Sequence, residues 1–149
     1  MYTDLLVPTD GSKLSHKAVT HAIGLAKLLK AKIAVLYATP HFEPEALFDG
    51  GGALEGRTSK SEHAAIEARE AERILNAVAS EAAAAKVECT TTHVTADAPW
   101  EAIIAAAGKQ KCDAIVMASH GRRGISGLLL GSETQKVLTH SKIPVVVVR

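Results

Sequence analysis

Hydrophobic positions along this chain fall into short unbroken runs separated by longer stretches with helical spacing. Leu5-Leu6-Val7 is a short apolar run closed by Pro8-Thr9-Asp10-Gly11, which predicts a strand and then a turn. Ser12 can cap the helix that follows, whose apolar face is Leu14, Ala18, Ala22, Leu25, Ala26 and Leu29. Residues 33–38 predict a second strand. Ser59 and Glu62 have capping-box spacing and open a second helix with the stripe Ala64, Ala68, Ala71, Leu75, Val78 and Ala82. Glu67, Arg69, Glu70 and Arg73 lie mostly off that stripe and read as its solvated face. Residues 87–94 predict a threonine-rich third strand. Pro99 suits the first turn of a third helix reaching about Lys109, with Trp100 as a packing residue at its start. Residues 113–119 predict a fourth strand, residues from about 131 to 140 a fourth helix, and residues 144–148 a last strand of nearly uninterrupted valine.

Strands alternate with helices throughout, and the strands are apolar on both faces. That pattern predicts an α/β fold with an open, twisted, parallel sheet of five strands and helices on both faces. Residues 1–149 read as a single domain, without repeat or linker. Between the second strand and second helix, residues 39–60 contain Pro40, Pro44 and Gly50-Gly51-Gly52. With little apolar material to bury, residues 42–60 are expected to be flexible without ligand and to fold over a bound one.

Composition narrows the function. Aromatics are 3% of the chain, which argues against a base-stacking surface for single-stranded nucleic acid. A formal net charge of +1 gives no global attraction to DNA, RNA or an anionic membrane. No apolar run is long enough to span a bilayer, and no signal-peptide pattern opens the chain, so membrane insertion is not expected and a cytoplasmic location is. Cys89 and Cys112 fit no metal spacing and read as buried thiols of a reducing compartment. The seven histidines include no His-x-x-x-His pair.

Candidate chemistry gathers after the fourth strand. Ala118-Ser119-His120-Gly121 leaves the strand, residues 122–130 form a nine-residue spacer, and Gly131-Ser132 returns at a helix start. Glycines permit close backbone approach, and a helix N-terminus presents unpaired N–H groups to an anion. Arg122 and Arg123 lie in the same loop and either screen phosphates or are merely solvated. A valine at Gly131 should project into such a cradle and leave the fold intact. There is no Walker P-loop, and no Gly-x-Gly-x-x-Gly follows the first strand. Met117-Ala118-Ser119-His120-Gly121 lacks the first glycine of a nucleophile elbow. Ser119 and His120, as sequence neighbours, need not face each other, and His120 reads as a loop-shaping residue. In parallel sheets, ligands sit beyond the carboxyl ends of strands where strand order reverses. If the first and fourth strands are neighbours, Asp10 and Ser119 share one crevice, where Asp10 can accept from a ribose or a base edge; alternatively it is only a turn residue.

At these residues the chain resembles the nucleotide-binding branch of the universal stress protein family, over essentially its whole length. The motif Gly-x-x-Gly, nine residues, Gly-Ser/Thr is met by Ser119-His120-Gly121, the spacer and Gly131-Ser132, with Ala118 in place of the first glycine. Pro8-Thr9-Asp10-Gly11-Ser12 matches the first loop, and residues 144–148 match the last strand. The resemblance implies a Rossmann-like sheet of order 3-2-1-4-5. It implies ATP, with Mg²⁺ held through the phosphates, bound by Pro8, Asp10, Ala38 and Met117 around the adenine. Ala118, Ser119 and Gly121 would line the ribose and phosphates, and Gly131, Ser132, Glu133 and Thr134 would hold phosphates by N–H groups and hydroxyls. The Glu133 side chain is expected to point away. The resemblance further implies a homodimer by antiparallel pairing of the C-terminal strands. The function expected is a stress-response regulator with slow or no ATP turnover; a slow Mg²⁺-dependent ATPase and a nucleotide-free dimeric interaction module are the alternatives.

Overall fold

The computed structural model describes residues 1–42, 59–121 and 130–149. Its elements are β1 (Asp4–Thr9), α1 (Lys13–Leu29), β2 (Lys32–Thr39), α2 (Lys60–Ala84), β3 (Cys89–Thr95), α3 (Pro99–Lys109), β4 (Ala114–Ala118), α4 (Ser132–His140) and β5 (Val145–Val148). The strands form one parallel sheet in the order β3-β2-β1-β4-β5. Leu5, Val7, Val19, Ile33, Val35 and Val116 fill the core under α1 and α2, while Leu6, Leu36, Ile103, Ile115, Met117 and Val137 fill the core under α3 and α4. Alternate residues of β1, β2 and β4 therefore feed opposite layers, which is why those strands show no polar face, whereas the edge strand β3 is threonine-rich and partly exposed.

Local signals set most boundaries. The Ser12 hydroxyl accepts from Ser15 N–H to start α1. Ser59 and Glu62 form the expected capping box. Pro99 sits at the start of α3. Two expectations change. β1 continues through Pro8 and Thr9, because the β2 ladder holds them in register with Leu36 and Tyr37. In α2, burial begins only at Ala71; Ala64 and Ala68 are exposed, while Glu67 and Glu70 are half-buried. Small alanines give a weak stripe, and the first turns of α2 turn His63 and Glu67 inward instead, joined at 3.2 Å. Arg69 and Arg73 are exposed as expected, and Arg73 forks onto Glu70 at 2.7 and 2.9 Å. The lid expected over residues 42–60 lies almost wholly outside the described residues.

The sheet order places the reversal between β1 and β4. Their pairing is confined to Leu5–Ala114 and Leu6–Ile115, whereas β1 stays paired with β2 up to Thr9–Tyr37. Pro8 has no N–H to extend a ladder toward β4. The two central strands part at their carboxyl ends, and a crevice opens there.

Candidate functional site: the crevice between β1 and β4

On the β1 side, Thr9 turns into the core and its hydroxyl meets that of Ser15 at 3.0 Å. Asp10 follows the strand, and its Oδ1 accepts the Ser12 N–H at 2.9 Å across Gly11, whose φ is 77°. That turn is the one the Asp-Gly pair predicts. The other carboxylate oxygen lies toward β4: a Cβ on Gly121 would stand 2.7 Å from Asp10 Oδ2. The first and fourth strand ends thus meet as expected, with the bare α-carbon of Gly121 against the Asp10 carboxylate.

On the β4 side, Ala118 ends the strand, buried, in register with Val148 and without positive φ. Alanine fits this extended position, so its departure from the glycine motif carries no backbone strain. Its carbonyl accepts the Thr134 hydroxyl at 3.0 Å, and the Ser119 carbonyl accepts the Gly131 N–H at 2.7 Å. These two bonds fasten the start of α4 onto the end of β4. They also revise two expectations. The Thr134 hydroxyl is buried and spent on the fold, so only its backbone N–H remains for a phosphate. The missing side chain of Gly131 makes room for the chain itself: a Cβ would lie 3.3 Å from both His120 Cα and Ser119 O. A valine there would press on backbone rather than simply fill a cradle.

Among the described residues nothing else caps the first turn of α4. Gly131 is its N-cap and offers no side-chain acceptor, unlike the Ser12 and Ser59 caps of α1 and α2. The N–H groups of Ser132, Glu133 and Thr134 have no partner within the helix by its geometry. Glu133 turns its carboxylate away, accepting the Trp100 N–H at 2.9 Å and pairing with Lys136 at 3.2 Å. It caps α3 and ties the two helix starts together, a role that an acidic residue in a first turn signals only in general terms. Trp100 packs against the α3/α4 core and leans on the His140 ring at 4.5 Å. Ser119 and His120 do face each other, Oγ to Nδ1, at 3.0 Å. His120 Nε2 is buried without a hydrogen-bond partner, so no carboxylate orients the ring and the pair is not a triad. Sequence gives no sign of that orphaned nitrogen.

Pro8, Ala38 and Met117 stand on one face. Pro8 follows Leu6, Ala38 follows Leu36 and Met117 follows Ile115 by two residues, and those three belong to the α3/α4 core. All three reach toward the carboxyl ends of their strands, as an apolar wall beside the crevice. Arg122 and Arg123 lie outside the described residues.

The family model described as the universal stress protein family matches residues 1–149. Universal stress protein MJ0531 of Methanocaldococcus jannaschii is 32% identical over 149 residues, covering 100% of this chain and 83% of that protein. The structure of the universal stress protein UspA from Lactobacillus plantarum superposes with a TM-score of 0.82 at 25% identity, covering 99% of this chain and 98% of that one. A universal stress protein solved in complex with cAMP superposes with a TM-score of 0.69 at 28% identity, covering 99% and 97%. Sheet order, switch-point crevice and full-length match agree: the chain belongs to the universal stress protein family.

Proposed function

We propose that this chain is a stress-response regulator that binds ATP in the crevice between β1 and β4, with Mg²⁺ carried on the phosphates and with slow or no turnover. The observation that carries the reading is the uncapped first turn of α4, fixed onto the end of β4 beside the crevice. The N–H groups of Ser132, Glu133 and Thr134 offer donors to phosphate oxygens, and the helix dipole adds a partial positive charge. Ala118, Ser119 and Gly121 flank the ribose and phosphates. Pro8, Ala38 and Met117 supply the apolar wall for adenine, and Asp10 supplies an acceptor. The cAMP complex of a similar protein supports an adenine nucleotide as the class of ligand. We place the activity in the cytoplasm, where the free thiols of Cys89 and Cys112 stay reduced. We also read β5 as the strand through which two copies pair into a homodimer.

Calorimetry with Mg-ATP, cAMP and Mg-GTP tests the nucleotide reading. Mg-ATP should bind and Mg-GTP should bind more weakly. Ser132→Asp puts a carboxylate where α4 tolerates it but phosphate does not, and should weaken Mg-ATP by about ten-fold or more. No heat with either adenine nucleotide, or equal ATP affinity in the variant, would show that α4 does not hold the phosphates.

A further inference from the structure

The opposite end of the sheet carries its own pattern. In a parallel sheet every helix-to-strand connection lies at the amino ends of the strands, and this chain has four. Each holds one lysine: Lys30 before β2, Lys86 before β3, Lys111 before β4 and Lys142 before β5. All four are exposed, and none makes an ion pair among the described residues. Strand order sets them across the full width of the sheet, a span of roughly 20 Å at the usual spacing of neighbouring strands.

Three of them hold a backbone that glycine normally supplies. Lys30, Lys86 and Lys111 have φ of 55°, 62° and 56°, in the left-handed region where a β-carbon is strained. Attraction to helix dipoles does not account for all of this, since Lys27 and Lys109 already occupy the last turns of α1 and α3. Carboxylates at this end do not cancel the charge. Among the described residues, Glu88 is matched by Lys32 at 2.9 Å and Glu81, in the last turn of α2, meets His16 at 2.6 Å, which leaves Asp4 and Asp113 against the four connection lysines together with Lys27 and Lys109. In a chain of net charge +1, this end therefore carries a local excess of positive charge. Beside Lys27 and Lys30, the side chain of Leu28 is 84% exposed in the last turn of α1.

We propose that this amino end is a docking surface for an anionic lipid bilayer. Lysines as flexible point charges suit a fluid array of headgroup phosphates and carboxylates, and Leu28 gives an apolar contact that a lipid interface accepts. Docking this way would leave the β1/β4 crevice, at the other end of the sheet, facing the solvent. The surface does not depend on the nucleotide reading.

Co-sedimentation of the full chain with vesicles tests this. Wild type should bind phosphatidylserine-containing vesicles at low salt, ignore pure phosphatidylcholine, and be released by salt that shortens the Debye length. The variant Lys30→Gly, Lys86→Gly, Lys111→Gly, Lys142→Ala removes the charges while giving three left-handed positions the residue that suits them, so its thermal unfolding should not fall. Its vesicle affinity should drop by about a hundred-fold or more, at roughly five-fold per lysine. Leu28→Ser should weaken vesicle binding and leave binding to heparin unchanged. Equal partitioning of wild type and variant, or no binding to phosphatidylserine, overturns the proposal. Binding to heparin, duplex DNA or polyglutamate without binding to vesicles also overturns it, and assigns the face to another polyanion.

Discussion

At the residue scale, a glycine in a motif can serve the ligand or the chain. Gly131 has φ −71° and ψ 156°, open to any residue, so conformation does not demand it. Contact does: Ser119 O and His120 Cα leave 3.3 Å for a Cβ, and both are backbone atoms that cannot rotate away. Gly131→Ala should therefore destabilise the fold by about 1–3 kcal/mol, as overpacking does, and Gly131→Val by more. Urea unfolding measures this; unchanged stability in Gly131→Ala would show that the β4–α4 junction yields freely. At Gly121 the neighbour is the mobile end of Asp10, so an alanine there displaces a carboxylate at small cost to the fold. Both glycines stand out in the sequence, as do Asp10 and the small residues of the loop. Their contacts do not, because which chain segment fills a missing side chain's space is decided only when β1, β4 and α4 come together. The same holds for Thr134, whose hydroxyl reads as a ligand group until the structure shows it bonded to Ala118 O.

At the scale of elements, local capping signals mark real boundaries, while a stripe built from small alanines does not orient a helix. The capping box and the proline at α3 fixed helix starts, since each satisfies backbone groups locally. The alanine stripe of α2 failed at Ala64 and Ala68, where little apolar area was at stake to orient the helix. Pro8-Thr9 looks like a turn in the sequence, yet the β2 ladder carries the first strand on through it. A tie between the start of β1 and the start of β4 was not legible at all. Asp113 takes hydrogen bonds from Thr3 N–H at 2.7 Å, the Thr3 hydroxyl at 3.0 Å and Asp4 N–H at 3.2 Å. Burial pushes its carboxyl up, but these bonds outweigh burial and hold it below the usual carboxylate range. A depressed pKa stabilises the fold above the ordinary value and loses that contribution as pH falls through the folded one. Asp113→Asn should cost about 1 kcal/mol or less at neutral pH, since the site is partly open to solvent. The gap between wild type and variant should close as pH drops below about 4. Thermal unfolding across that range decides it, and a gap that persists in acid would show that the carboxylate charge does not stabilise the tie.

For the whole molecule, the alternation of apolar runs and helical stripes was enough to predict a parallel sheet, and family resemblance supplied its order. That order then gives the two ends of the sheet different tasks, the crevice at one and the lysines at the other. The lysines were visible in the sequence as separate residues, but their alignment follows only from the connections. The order also leaves β5 at an edge, with Val145, Val146, Val147 and Val148 each half-buried. An unpaired apolar edge invites another strand, and a second copy of β5 lying antiparallel would cover it. The four valines are not equivalent. Val146 and Val148 pack against the α1/α2 core and Val145 against the α3/α4 core, while Val147 belongs to neither cluster. Val147→Lys is therefore the variant that disturbs the edge without opening a core, whereas Val146→Lys would bury a charge against α1 and test the fold instead. In light scattering, wild type should have the mass of a dimer and Val147→Lys that of a monomer. Wild-type melting should rise with protein concentration, as it must when folding and pairing are coupled, and the variant's should not. A monomeric wild type, or a dimer of unchanged mass in Val147→Lys, would remove β5 as the dimer strand.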